Sequence, residues 1–162
     1  METKQLFLMG LSDLKIYDIK GELVAEFDNL LKGKLVHNSI GDSYFAIDVA
    51  DFNIDLTKAL ADVEIVENVD IEEDISYQST KIKFKPLYKH ENLKYFKLVA
   101  EGVLYDGDGK VTHDIKLIIN ESFLESGLNF EFDNINPSGY THIFRISVDN
   151  DGYSFELELI EK

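Results

Sequence analysis

The stretch Tyr140-Thr141-His142-Ile143-Phe144-Arg145-Ile146-Ser147-Val148-Asp149-Asn150-Asp151-Gly152-Tyr153-Ser154-Phe155-Glu156-Leu157-Glu158-Leu159-Ile160-Glu161 decides the fold class. Phe144, Ile146 and Val148 alternate with Arg145, Ser147 and Asp149. After Asp149-Asn150-Asp151-Gly152, Phe155, Leu157 and Leu159 alternate with Glu156, Glu158 and Ile160. A period of two places one apolar face on a core and leaves the other to solvent or a partner. Asn, Asp and Gly tolerate the positive φ angles of a tight turn. The segment therefore reads as a β-hairpin on which a sheet is built.

Working back along the chain, the same signals recur. Leu6 to Met9 forms a short strand closed by Gly10, and Leu14 to Tyr17 a second with Leu14 and Ile16 on one face. Asp18-Ile19-Lys20-Gly21 turns into a third strand, Glu22 to Phe27, with Leu23 and Ala25 on one face. Gly33 breaks the next segment, and Leu35 to Ile40 reads as a strand leading into loop chemistry through Ser43. Phe45, Ile47 and Val49 share a face in the strand Tyr44 to Asp51. The one helix signal is Asp55 to Ala61, with Asp55 as N-cap and Leu56 and Leu60 at i, i+4. So short a helix needs the sheet beneath it.

Asp62 to Asp74 reads as a strand running into an exposed loop, and Lys81, Lys83 and Lys85 alternate with Ile82 and Phe84 in another strand that Pro86 ends. Tyr95 to Tyr105 is a strand closed by Asp106-Gly107-Asp108-Gly109, and Val111 to Asn120 returns from it. A helical turn is expected in Asn120 to Gly127, then a strand carrying Leu128, Phe130 and Phe132, then a turn at Asn136-Pro137-Ser138-Gly139. The total is roughly ten strands with turns spaced as in sandwiches and barrels. The predicted class is mainly β: an antiparallel β-sandwich or half-open barrel of two sheets with one short flanking helix. The 162 residues read as a single β-sandwich domain, 1–162, without repeats or linkers.

Composition narrows the chemistry. There are no cysteines, which excludes disulfides, thiolate metal sites and cysteine nucleophiles. The four histidines, His37, His90, His113 and His142, stand in no metal-ligand spacing and read as solvent-facing strand or loop residues. Asp106 and Asp108 could begin a calcium loop, but Lys110 takes the third ligand position and Leu117 stands where a bidentate Glu belongs. Asp149 and Asp151 are paired likewise, so both runs read as hairpin turns ahead of metal sites. No nucleophile elbow or phosphate-cradling glycine loop occurs. The expectation is a protein without catalytic residues, cofactor or metal. Leu6 to Met9 is too short for a signal h-region or membrane anchor, which suggests a cytoplasm-like compartment.

The net charge is −15, from 31 acids against 16 lysines and arginines. Such a surface does not grip nucleic acid or an anionic membrane. It fits simple solubility, or a surface that repels a polyanion. Seven acids in residues 62–74 precede six lysines in residues 81–97. One reading is cross-strand pairing or a solvated face. The other is head-to-tail assembly, in which Asp70, Glu72, Glu73 and Asp74 of one subunit meet Lys81, Lys83 and Lys85 of the next.

The run Leu8-Met9-Gly10-Leu11-Ser12-Asp13-Leu14-Lys15-Ile16-Tyr17-Asp18, followed by Gly21-Glu22-Leu23-Val24-Ala25-Glu26, resembles the start of bacteriophage tail tube proteins. Gly41-Asp42-Ser43-Tyr44-Phe45-Ala46-Ile47-Asp48-Val49 is similar to that family's small turn and aromatic-led strand. The long strands around Asp106 to Gly109 and the terminal Tyr153 to Glu161 extend the likeness along the chain, while residues 62–97 match no segment of it. The resemblance implies two antiparallel sheets with a flanking helix. It implies hexameric rings that stack into a tube, related in design to the type VI secretion tube, and no catalytic residues. It also implies a virion protein assembled in the host cytoplasm, partnered by itself and by other tail or head–neck proteins. DNA would pass along an acidic lumen without specific binding. The alternatives are another virion part (a tail terminator, baseplate or capsid decoration protein) and a monomeric ligand- or carbohydrate-binding β-sandwich.

Overall fold

The computed structural model describes residues 7–8, 11–28, 30–38, 42–49, 54–60, 63–72, 75–85, 94–125, 129–130 and 140–162. In chain order the elements are β1 (Phe7–Leu8), β2 (Asp13–Tyr17), β3 (Leu23–Phe27), β4 (Leu30–His37), β5 (Ser43–Val49), α1 (Ile54–Leu60), β6 (Val63–Glu72), β7 (Ile75–Phe84), β8 (Tyr95–Tyr105), β9 (Val111–Leu124), β10 (Asn129–Phe130), β11 (Tyr140–Ile146) and β12 (Glu156–Glu161). The fold is mainly β and antiparallel, as the alternation predicted. A ten-stranded sheet follows the path β3-β2-β8-β9-β11-β5-β4, with β1 beside β8, β10 beside β11 and β12 beside β9. The second sheet is the hairpin β6–β7.

The large sheet curls on itself. Its two end strands, β3 and β4, are consecutive in the chain, and only Asp28 and Asn29 separate Phe27 from Leu30. Two linking residues reach roughly 10 Å at full extension. The far edges must therefore meet at that end, although β3 and β4 do not pair. The result is a half-open barrel with a seam. At the seam a Cβ on Gly33 would lie 3.0 Å from Leu11 Cδ1 and 3.6 Å from Phe45 Cζ. Gly33 thus does not break its segment, as the sequence suggested. It lies within β4, where a Cβ would press on the end of the Leu11 side chain.

The predicted faces fill the barrel. Leu14 and Ile16 of β2, Phe45, Ile47 and Val49 of β5, and Leu98 of β8 are essentially excluded from water. Each such side chain contributes about 1.5–3 kcal/mol on burial. Phe96 meets Phe144 edge to face at 6.3 Å, joining β8 to β11 across the interior. Helix α1 buries Leu56 and Leu60 and packs against β3. It begins at Ile54, so Asp55 lies in the first turn and not at the cap, with Lys58 Nζ 3.8 Å from its carboxylate.

The terminal stretch is corrected. β11 and β12 are each antiparallel to β9, so they run in the same direction and do not pair with each other. β11 holds Phe144 to Ile146 against Leu124 to Ser122, and β12 holds Glu156 to Glu161 against Ile118 to His113. Ser147 still donates its N–H to the Glu121 carbonyl at 2.9 Å, and the chain then leaves the sheet until Glu156. The alternation was sound for each arm, but alternation fixes faces and not partners. β9, 14 residues long, offers one edge to both arms. The Asp149 carboxylate accepts the Asp151 and Tyr153 N–H groups and folds 149–153 into a small turn of its own. Phe155 then returns to the core and meets the His37 ring edge-on at 5.3 Å.

Other expectations shift for local reasons. β9 runs on to Leu124 where a helical turn was expected, because Ser122 is buried and its hydroxyl donates to the Phe96 carbonyl at 3.0 Å. The loop expected at the end of the acidic stretch is strand as far as Glu72. Leu6, Met9, Gly10, Ile40, Asp51, Ala61, Pro86, Leu128, Phe132 and the Asn136–Gly139 turn lie outside the described residues.

Candidate assembly surface

The sequence-predicted contact residues converge on β6 and β7. These strands pair over their whole length, from Val63↔Phe84 to Glu72↔Ile75, and among the described residues they pair only with each other. Ten residues per strand make an arm about 33 Å long. No described side chain on it is buried. An isolated two-stranded hairpin is at best marginally stable in water.

Register sorts the arm into two faces. Residues directly opposite share a face. Val63, Ile65, Ile82, Val69 and Ile71 fall on one, with Glu67, Thr80, Gln78 and Ser76. Glu64, Val66, Lys81, Lys83, Asn68 and Asp70 fall on the other. The lysines cluster near the base. Asp70 and Glu72 stand near the tip opposite Tyr77 and Ile75. Cross-strand neutralisation therefore covers one described pair, Glu64 and Lys83, 3.5 Å apart with both side chains more than half exposed. Such a pair contributes little. Lys81 faces Val66 and is exposed, and Lys85 follows the strand and is exposed. Glu73 and Asp74 lie outside the described residues. The head-to-tail reading had set the acids of Asp70–Asp74 against Lys81–Lys85; within the chain, the register does not bring them together.

The second surface was hidden by the hairpin reading. Among the described residues β12 pairs with β9 alone, on one side, and all six of its residues are exposed. Leu157 and Leu159 lie opposite Leu117 and Ile115, which are buried, so they continue the core-side face. Yet each is 53% exposed. Glu156 and Glu158 occupy the other face, opposite Ile118 and Lys116. Among the described residues the strand is an unpaired edge with a half-exposed apolar strip. Its alternation was visible in the sequence, but its free edge follows from topology alone.

The remaining candidates are structural. Asp18, Asp106 and Asp149 build three turns of one design. In each, one carboxylate oxygen accepts the N–H groups two and four residues on, and the glycine three residues on has positive φ (82°, 78° and 87°). The Asp149 carboxyl is held below the ordinary carboxylate range, chiefly by the Tyr153 N–H and then by Asn120. Among the described residues no group of three or more His, Asp or Glu side chains could hold a metal. No helix among them is long and apolar enough to cross a membrane.

Arg145, the chain's one arginine, donates to Asp42 at 2.9 Å and to Glu125 at 2.6 Å. It ties β11 to the approach to β5 and the end of β9. The histidine expectation is corrected at His142, which is buried on β11 with an unpartnered Nδ1, and whose pKa burial lowers to about 4. It sits in the strand that pairs centrally with β5, which sequence alone does not reveal. His37 Nδ1 is 2.6 Å from Ser43 Oγ, and His90 lies outside the described residues. No protein-family model matches this chain, and no curated protein matches it significantly.

Proposed function

We propose that the protein is a self-assembling virion component, a bacteriophage tail tube subunit whose rings stack around a DNA channel. The observation that carries this reading is the β6–β7 arm, a long hairpin whose described strands have no sheet neighbour within the chain. A module that worked alone would gain nothing from holding so much exposed strand, whereas a subunit uses it to reach the next copy. The half-open antiparallel barrel with one flanking helix agrees with the resemblance in the opening and aromatic-led segments. The charge of −15 suits a wall along which DNA slides, because a basic channel would bind and stall it. On this reading the protein resides in the tail, is assembled in the host cytoplasm, contacts other tail or head–neck proteins, and has no catalytic site.

Negative-stain electron microscopy and sedimentation at rising protein concentration test the proposal. Rings or open-ended tubes with a central channel are the expected result. Rings of fixed size that never stack would point to a terminator or another virion part. A monomer at every concentration would overturn self-assembly.

A further inference from the structure

Among the described residues, two strand edges have no sheet neighbour, and they complement each other. The outer edge of β12 presents Glu156-Leu157-Glu158-Leu159, glutamates on one face and leucines on the other. The outer edge of β7 presents Lys81-Ile82-Lys83, lysines on one face and isoleucine on the other. We propose that β7 of one copy adds to the free edge of β12 of the next, extending the ten-stranded sheet across the subunit boundary. The inference rests on the self-assembly reading above and names its contact.

The match holds in either strand direction. Run antiparallel, Glu156 meets Lys83, Leu157 meets Ile82 and Glu158 meets Lys81. Run parallel, Glu156 meets Lys81, Leu157 meets Ile82 and Glu158 meets Lys83. Both registers bring two opposite-charge pairs onto one face, where cross-strand neighbours interact. Both bring Ile82 beside the leucines, which lie half-exposed at the end of the core-side face. Backbone hydrogen bonds supply affinity and the side chains fix register.

Charge also selects among the other free edges. The β6 edge of the arm carries Glu64 and Glu67, and β3 carries Glu26, so either would set acid against acid. β4 also carries Lys32 and Lys34, but Gly33 between them offers no side chain to meet a leucine, where β7 offers Ile82. Lys81 and Lys83 stand exposed on the arm. The contact joins two different surfaces, so it is heterologous: repeated, it closes into a ring or continues as a filament.

The chain has no native cysteine, which permits a direct test. The double variant Ile82→Cys/Leu157→Cys, oxidised at a concentration where the wild-type protein assembles, should give a ladder of covalent multimers on a non-reducing gel. Each single variant should stop at dimers or less. In parallel, Glu156→Lys/Glu158→Lys and Lys81→Glu/Lys83→Glu should each raise the concentration needed for assembly by about tenfold or more, and combining all four changes should restore it. Circular dichroism checks that each variant folds. If the wild-type protein assembles while the cysteine pair gives no ladder and the charge reversals have no effect, the strand contact is wrong and self-assembly stands. If the wild-type protein never leaves the monomer and no ladder forms, both fail.

Discussion

At the residue scale, the three Asp-x-x-Gly turns show how much a single carboxylate organises. The Asp106 oxygen holds the Asp108 and Lys110 N–H groups at 3.0 and 2.9 Å, closing β8 into β9 at the middle of the sheet. Replacing it with alanine leaves two donors to water and should cost about 1 kcal/mol, a fall in Tm of about 3 °C. Asp106→Asn keeps an accepting oxygen and should lose less than half of that. Calorimetry of the two variants checks the ordering. The motif was legible in the sequence as turn chemistry, and the failed calcium spacing kept it from being read as a metal site.

His142 was not legible, because nothing around it in the sequence distinguishes a buried from an exposed strand position. Its pKa in the fold, about 4, lies below the ordinary 6.5 because burial disfavours the cation, and nearby Asp48 offsets only part of that effect. The unfolded chain therefore takes up a proton near pH 6.5 that the folded chain refuses until pH 4. The stability linked to His142 is complete above pH 6.5 and is lost as the pH falls toward 4, by about 3 kcal/mol over the window. Denaturant melts at pH 7.5 and 4.5 should show this loss. In His142→Leu the difference should shrink, and an equal slope in both proteins would refute the assignment.

At the scale of the element, strand faces were readable and strand neighbours were not. Phe45, Ile47 and Val49 stand where their period placed them, and β8 has the predicted bounds, Tyr95–Tyr105. The misreadings came where a partner decided the outcome. Gly33 is part of a strand because it pairs with Ile47 of β5, and the terminal arms share β9 because that strand is long enough for both. Lys81 and Lys83 lie in a strand as their alternation predicts and Lys85 falls just past its end, but which acids they face is set by the β6–β7 register. One consequence concerns β12. It is tethered through the 147–155 excursion, holds a single neighbour among the described residues and buries none of its side chains. Its amides should exchange with deuterium much faster than those of β11 in the monomer, and should become protected on assembly. Hydrogen-exchange mass spectrometry on peptides covering 140–147 and 156–162 resolves the two.

At the scale of the whole molecule, the sheet is stitched by pairs distant in sequence. Asp13 lies opposite Glu101, and Thr141 opposite Asp48. Closing such loops must precede most of the burial that rewards it, so refolding should be slow, in milliseconds to seconds. Stopped-flow fluorescence of the tyrosines can follow it. A phase complete within about 100 μs would contradict this topology.

The sheet order also sets a schedule during translation. β2 through β5 leave the ribosome before β8, β9 and β11, the three strands that join them into one sheet. β12 emerges later still, after every other strand of the sheet has been made. A sticky edge made early would invite neighbouring nascent chains on the same message to tangle. Because this one follows the rest of the sheet, a chain offers its docking strand only once the barrel beneath it can be complete.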